Sequence, residues 1–236
     1  MTARFGILLT LCGLPGLFAL LAVMPAIPGV PPLALLVQPA AILLALAFAG
    51  SWAAPRCGFA LLAPQPPGAR LAQAGSGLLL GLLIAAADHL ARGAWQAAPS
   101  QPPSLVEGWT PASALVGLLY GGVVEEVMLR WGFMSLMVLA LWRLLARRAP
   151  SPPGWSVLAG IVLAALAFAA AHLPALALAG TPLDAGILAR TLLLNGVAGL
   201  LFGWLFARRD LLAAMLAHAA AHLGFALTAL AVAGVH

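Results

Sequence analysis

Seven apolar runs divide the chain, and they constrain its fold more than any other sequence feature. A helix that rises 1.5 Å per residue crosses the hydrocarbon core of a bilayer in about 20 apolar residues. Only 7% of the 236 residues are charged, whereas soluble domains carry about 25%, so most of the surface must face lipid. The runs are 5–24, 33–54, 71–90, 112–145, 155–178, 186–206 and 211–232. They predict an all-α, polytopic transmembrane helical bundle of seven helices, or eight if the fourth run is split near Gly132.

The connections between the runs are rich in proline, which ends helices and marks loops. No boundary between domains is visible, so we predict a single transmembrane domain over 1–236. Its first part, 1–111, supplies amino-terminal helices without a recognisable motif, and 112–225 carries the polar residues described below. The first run is predicted to be a retained helix, because it is longer than the apolar core of about 7–15 residues found in signal peptides.

The basic residues predict the orientation of the helices in the membrane. The chain has arginines but no lysine, and they stand singly or in pairs at the ends of the apolar runs, a pattern that does not indicate nucleic-acid binding. One crossing by 112–145 puts most of them on one side, which predicts a cytoplasmic amino terminus. Two crossings would move the group at 143–148 to the opposite side. We expect an integral protein of a bacterial inner membrane.

Glu125 and Glu126 lie inside an apolar run, where each carboxylate costs roughly 2.5–3.5 kcal/mol to insert. Glu126 and Arg130 are four residues apart with the acid first, which is the favourable order for an ion pair on a helix. Glu125 is rotated by about 100° from Glu126 and has no such partner. The pattern therefore predicts a structural role for Glu126 and Arg130, and it predicts that Glu125 is free to take up and return a proton.

Three histidines are predicted to lie near the depth of Glu125. Counting 1.5 Å per residue from the ends of the runs places His172 and His222 near the bilayer centre, with His218 one turn from His222 on the same helix face. Imidazoles four residues apart on a helix can jointly hold a metal ion or stabilise an oxyanion. The polar residues of three helices are thus predicted to converge at one depth.

Three short motifs resemble the signatures of a known family. They are Glu125-Glu126-Val-Met-Leu-Arg130, Phe168-Ala-Ala-Ala-His172 and His218-Ala-Ala-Ala-His222. Their order and internal spacing are similar to those of the CAAX prenyl protease and bacteriocin-processing (CPBP) family of intramembrane endopeptidases. The resemblance covers about 112–225, which it marks as a motif-bearing protease core.

The resemblance implies hydrolysis of a peptide bond within the membrane. Glu125 would be the catalytic glutamate that activates water, and His172 would help to hold that water. His218 and His222 would stabilise the oxyanion, whereas many members carry asparagine at the position of His222. Glu126, Arg130 and Phe168 would support the site.

Because position 222 is a histidine, a zinc ion stays an alternative cofactor, with Glu125, His172, His218 and His222 as its ligands. The usual His-Glu-x-x-His zinc-protease motif is absent from the sequence. We therefore favour a glutamate-type mechanism without a cofactor.

Two functions from other classes compete with the protease. Buried glutamate and histidine also serve as relay groups in a transporter or proton-coupled carrier, although the polar residues here cluster at one depth. The other alternative is a catalytically inactive membrane scaffold or immunity protein. For a protease, a site near the midplane predicts a membrane-tethered substrate: a prenylated tail, a leader peptide or a carboxy-terminal sorting signal. The sequence does not determine the oligomeric state.

Overall fold

The structure is a computed structural model that describes residues 2–95 and 103–234. Within these ranges the chain is helical without any strand, and seven of its helices are long and apolar enough to cross a membrane. The prediction of an all-α transmembrane bundle is confirmed, and the connection between the third and fourth runs lies partly outside the described residues. The seven helices are α1 (Thr2–Ala22), α2 (Pro32–Cys57), α3 (Ala69–Leu90), α4 (Pro111–Leu145), α5 (Gly154–Leu178), α6 (Ala185–Arg208) and α7 (Leu211–Ala233).

Helix α4 is continuous over its 35 residues, so the alternative of eight helices is not seen. It begins with a capping box, in which Thr110 and Ser113 exchange hydrogen bonds between side chain and backbone. Its middle has the wider π-helical hydrogen-bonding pattern over Gly117–Glu125 and Val127–Met134. Glu126 lies between these two segments. Departures from α-helical pairing of this type are frequent at functional sites.

Small residues allow α7 to pack directly on the backbone of α3. A Cβ atom added at Gly77 or Gly81 would overlap the carbonyl oxygen of Ala217 or Ala221, respectively. Such small-x-x-x-small spacings let helix backbones approach closely. Helices α6 and α5 approach closely in the same way, because a Cβ at Gly199 would lie 2.8 Å from the Cα of Ala165. These glycines therefore permit close packing between helices of one chain.

A buried aspartate fastens the predicted cytoplasmic end of the bundle. Asp210 caps α7 by accepting a hydrogen bond from the Ala213 amide at 2.8 Å, and its carboxylate accepts two more from Arg70 at 2.6 and 2.7 Å. The Ala63 amide donates to the same group at 2.8 Å. Burial alone would raise the pKa of Asp210, but the hydrogen bonds from Arg70, Ala63 and Ala213 outweigh it and the pKa is lowered. The carboxylate thus ties the α2–α3 connection to α7.

A second buried carboxylate fastens the opposite end. Asp88 of α3 forms two hydrogen bonds with Arg190 of α6, at 2.6 and 2.8 Å. Asp88 also accepts from the Leu105 amide at 2.7 Å, and Arg190 donates to the Pro103 carbonyl at 3.3 Å. These bonds hold the segment 103–109 across this end of the bundle, where it forms part of the wall of a cavity.

Candidate active site

Glu126 is the centre of a buried hydrogen-bond network between α4 and α7. Its Oε1 accepts from Arg130 Nη1 at 2.8 Å and is 2.7 Å from His218 Nδ1. Arg130 also reaches α6, where its Nη2 donates to the Gly199 carbonyl at 3.3 Å. The side chains of Glu126 and Arg130 are fully buried. The ion pair predicted from the four-residue spacing is therefore present, whereas the contact of Glu126 with His218 is additional.

Two phenylalanines enclose this network. The Arg130 guanidinium lies 4.7 Å from the ring centre of Phe168 and 5.4 Å from that of Phe202, within the range of cation–π attraction. The His218 ring stacks on Phe202 with centres 4.5 Å apart and meets Phe168 edge-on at 5.5 Å. Phe168 was predicted to support the site and lies at this position. Phe202 carries no sequence signal beyond its apolar character.

Two glycines of α4 make room for the histidines of α7. A Cβ at Gly117 would overlap the His222 ring, and one at Gly121 would lie 2.9 Å from His222 Nε2 and 3.1 Å from His218 Nε2. These glycines lie on the π-helical segment that ends at Glu125. The widened helix and its missing side chains therefore admit two stacked imidazoles, whose centres are 5.2 Å apart.

Glu125 lies beside His218 but is not bonded to it. The distance from its Oε2 to His218 Nε2 is 3.8 Å, longer than a hydrogen bond. The Glu125 side chain is 19% exposed, whereas that of Glu126 is fully buried. His218 thus has one ring nitrogen on Glu126 and the other directed toward Glu125. The two adjacent glutamates occupy different environments.

The three predicted histidines share one cavity of about 460 Å³. His172, His218 and His222 line it together with apolar residues of α3, α5, α6 and α7, and with the segment 103–109. His172 Nδ1 is 2.8 Å from the Phe168 carbonyl, to which it donates, so its other nitrogen is left as an acceptor. Glu125 is not one of the lining residues of this cavity, although its neighbour His218 is.

The site includes Asn195 of α6, which sequence reasoning missed. Its half-buried side chain lines the cavity with the three histidines. It is the single asparagine of the chain and lies four residues after Thr191, so the two polar side chains share one face of the helix. Thr191 lines the same cavity. This spacing is the sequence signal that could have indicated Asn195.

The described residues do not provide a ready metal site. Within 2–95 and 103–234, no group of three or more His, Cys, Asp and Glu side chains is placed so that it could hold an ion. Among the alternative zinc ligands, His218 has its Nδ1 engaged by Glu126, which leaves Nε2 as its other ring nitrogen. The rings of His218 and His222 are stacked at 18° to one another.

The arrangement is suited to proton transfer beside an apolar cavity. Glu126 orients the His218 ring, as carboxylates commonly do for catalytic and metal-binding imidazoles. A second carboxylate, Glu125, lies on the opposite edge of that ring. Acid–base pairs of this kind take a proton from water and return it to a leaving group.

Comparisons with known proteins agree with the geometry. No curated protein and no solved structure matches the chain. The model of one family does match, over residues 107–224, and its description is type II CAAX prenyl endopeptidase Rce1-like. The matched region contains all three motifs and all seven predicted site residues. Seven candidate spans and this match make the chain an integral membrane protease. The chain belongs to the Rce1-like family of type II CAAX prenyl endopeptidases, within the wider CPBP family that its motifs resemble.

Proposed function

We propose that this protein cleaves a membrane-tethered protein or peptide with a water molecule that Glu125 activates. The observation that carries the proposal is the placement of His218 between two carboxylates, 2.7 Å from Glu126 and 3.8 Å from Glu125, at the wall of the cavity. With His218 protonated, Glu125, Glu126, Arg130 and His218 together carry no net charge. The site therefore accommodates a proton-transfer cycle without a large uncompensated charge in an apolar environment.

Glu125 is the base in this scheme because Glu126 is already occupied. One oxygen of Glu126 is shared by Arg130 and His218, and the residue is inaccessible to water. Glu125 retains exposure and has no hydrogen bond of that kind among the described residues. A general base must reach its water molecule, so accessibility distinguishes the two carboxylates.

The reaction then follows in balanced steps. Glu125 accepts a proton from water while the oxygen attacks the peptide carbonyl carbon, and the C=O bond becomes an oxyanion. His218 and His222 donate hydrogen bonds to that oxyanion, and His172 accepts one from the attacking water. When the C–N bond breaks, Glu125 returns its proton to the leaving nitrogen. The products are a carboxylic acid and an amine.

The position of the cavity supports the proposed substrate class. A space of about 460 Å³ within the helix bundle, with mostly apolar walls, suits a short peptide segment held near the membrane by its own anchor. A prenylated tail, a leader peptide and a carboxy-terminal sorting signal all have this form. We propose further that the chain resides in a bacterial inner membrane with a cytoplasmic amino terminus, as its arginines predict.

Membrane proteomics of cells that carry wild-type or Glu125→Gln protein tests the proposal. We expect a set of membrane-anchored proteins to accumulate in uncleaved form in the Glu125→Gln cells. Glu107→Gln is a matched control, because Glu107 lies in the segment 103–109 and glutamine keeps an oxygen that can accept from the Ser104 amide. Identical cleavage products in the wild-type and Glu125→Gln cells would exclude the protease function through Glu125.

Chelation tests the choice of mechanism separately. Because Glu125 supplies the base, the purified enzyme should keep its activity after dialysis against a zinc chelator. Loss of activity that added zinc restores would show that the ion is required, and it would replace the metal-free mechanism while leaving the protease function in place.

A further inference from the structure

Three helices present a polar side chain to the cavity at one level of the bundle. The network of Glu126 and Arg130 marks a reference level, because it contacts Phe168 of α5, Gly199 of α6 and His218 of α7. One helical turn, four residues, separates each of these from a cavity-lining polar residue on the same face. Those residues are His172 on α5, Asn195 on α6 and His222 on α7.

All three are displaced toward the same end of the bundle. Helices α5 and α7 run toward the end where Asp88 binds Arg190, so His172 and His222 follow their reference residues in sequence. Helix α6 runs the opposite way, so Asn195 precedes Gly199. The three residues are thus about 6 Å from this reference level along the bundle axis. Two of these residues are the predicted catalytic histidines, and Asn195 is the third polar residue at this level.

The Asn195 amide keeps hydrogen-bonding capacity toward the cavity. One N–H of Nδ2 donates to the Thr191 carbonyl at 2.9 Å, and within the described residues the amide makes no further hydrogen bond. The second N–H and the Oδ1 acceptor therefore remain for a ligand. A free N–H and a free carbonyl oxygen in mostly apolar surroundings are unfavourable, which makes a ligand with complementary groups a favourable occupant.

We propose that Asn195 binds the main chain of the substrate peptide. Its free N–H donates to a peptide carbonyl, and its Oδ1 accepts from a peptide N–H. This inference rests on the proposed protease function and names a binding residue for the same site. His172 and His222, at the same level as Asn195, contact the attacking water and the oxyanion in the proposed reaction, so Asn195 lies at the level of the bond that is cleaved. An extended peptide advances about 3.3 Å per residue, so the main-chain group that Asn195 binds is within one or two residues of that bond.

The cavity has room for such a peptide. Its lining residues on α6 extend from Arg190 to Phe202, a rise of about 18 Å along the helix. That length accommodates about five extended residues. Asn195 lies inside this stretch, where it can fix the register of the peptide relative to Glu125.

Asn195→Leu is the decisive variant, because leucine branches at Cγ as asparagine does and lacks both hydrogen-bonding groups. Its kinetics are measured on a synthetic peptide that spans the strongest Glu125-dependent cleavage found by proteomics. We expect KM to rise roughly 10-fold to 100-fold, the effect of leaving a substrate hydrogen bond unmade, while kcat changes less than about threefold. Asn195→Gln should recover part of the affinity because it restores the amide.

Leu193→Ala is the matched control on the lipid-facing side of the same helix, where Leu193 is largely exposed. It should leave KM unchanged. A KM for Asn195→Leu within twofold of wild type would overturn the inference, and so would a fall in kcat at constant KM. If no cleavage depends on Glu125, the proposed function fails first; if cleavage depends on Glu125 and Asn195→Leu is normal, the inference about Asn195 alone fails.

Discussion

Two buried ion pairs of the same chemistry are built differently in this molecule. The pair Asp88–Arg190 joins α3 to α6 through two parallel hydrogen bonds, and both partners also bond to the backbone of the segment 103–109. The pair Glu126–Arg130 lies within α4 and uses a single oxygen of the glutamate. Its Glu126 Oε2 and Arg130 Nε are buried without a partner among the described residues.

The difference follows from where the partners lie in the sequence. Asp88 and Arg190 come from separate helices, so the arginine can approach the carboxylate side-on, which is the strongest geometry for this pair. Glu126 and Arg130 are fixed one turn apart on one helix and meet through one oxygen. That same oxygen also meets His218. In Asp88–Arg190, full hydrogen bonding of the buried polar atoms accompanies a structural role. In Glu126–Arg130, buried polar atoms without a hydrogen bond occur where chemistry is proposed.

Breaking the Glu126–Arg130 pair of the candidate active site should have the largest effect on stability and activity. Arg130→Met leaves Glu126 as an uncompensated buried charge and removes the cation between Phe168 and Phe202, so we expect a loss of about 3–5 kcal/mol in stability. Activity should fall at least about 100-fold, because Glu126, which orients His218, loses the arginine that holds it in place. Thermal unfolding in detergent and peptide cleavage measure the two effects.

The double variant Glu126→Gln/Arg130→Met sharpens this prediction. It removes both charges, so most of the stability should return while activity stays low. Recovery of activity together with stability would show that the pair is structural only, like Asp88–Arg190.

Breaking the structural pair should destabilise the protein without abolishing catalysis. Asp88→Asn leaves Arg190 unpaired, and we expect a loss of about 3 kcal/mol, the lower end for a broken buried pair. The folded fraction should keep kcat within about threefold of wild type, because Asp88 lies at the end of the bundle and outside the catalytic network. Cleavage rates normalised to the folded fraction test this, and a 100-fold fall in normalised kcat would remove the distinction between the two pairs.

The smallest effect is expected from filling the space that α4 leaves beside the imidazoles of His218 and His222. Gly121→Ala puts a methyl group 2.9 Å from His222 Nε2 and 3.1 Å from His218 Nε2, so the rings must move. We expect about a tenfold loss of activity and a loss of about 1–3 kcal/mol from overpacking.

Gly75→Ala is the control for Gly121→Ala, because a Cβ at Gly75 of α3 meets no atom within 4 Å. It should be neutral or slightly stabilising, since alanine favours helices over glycine by about 1 kcal/mol. Equal activities for the two variants would show that the space beside the histidines has no role.

Much of the fold could be predicted from local sequence. Hydropathy locates the seven helices because a membrane span has a defined length, and the four-residue spacing predicts the Glu126–Arg130 pair. The glycine spacings of α3 and α6 likewise predict their close contacts. Each of these features depends on residues near one another in the chain.

The remaining features depend on residues that are distant in sequence. Asp88 and Arg190 are 102 positions apart, and no pattern within either helix indicates that they meet. Similarly, the sequence alone does not show that His218 bonds to Glu126 while Glu125 is 3.8 Å away, because that choice depends on the rotation of α7 against α4. The π-helical pairing of α4 also arises from packing and has no local signature.

The two adjacent glutamates are proposed to have different roles, and the cleavage rate of purified Glu125→Gln distinguishes them. Glutamine preserves the shape of the side chain but cannot accept the proton of water. We predict an unchanged unfolding temperature and a kcat lower by at least about 100-fold, the usual contribution of a general base. A folded Glu125→Gln enzyme that keeps more than about a tenth of the wild-type kcat would contradict the account.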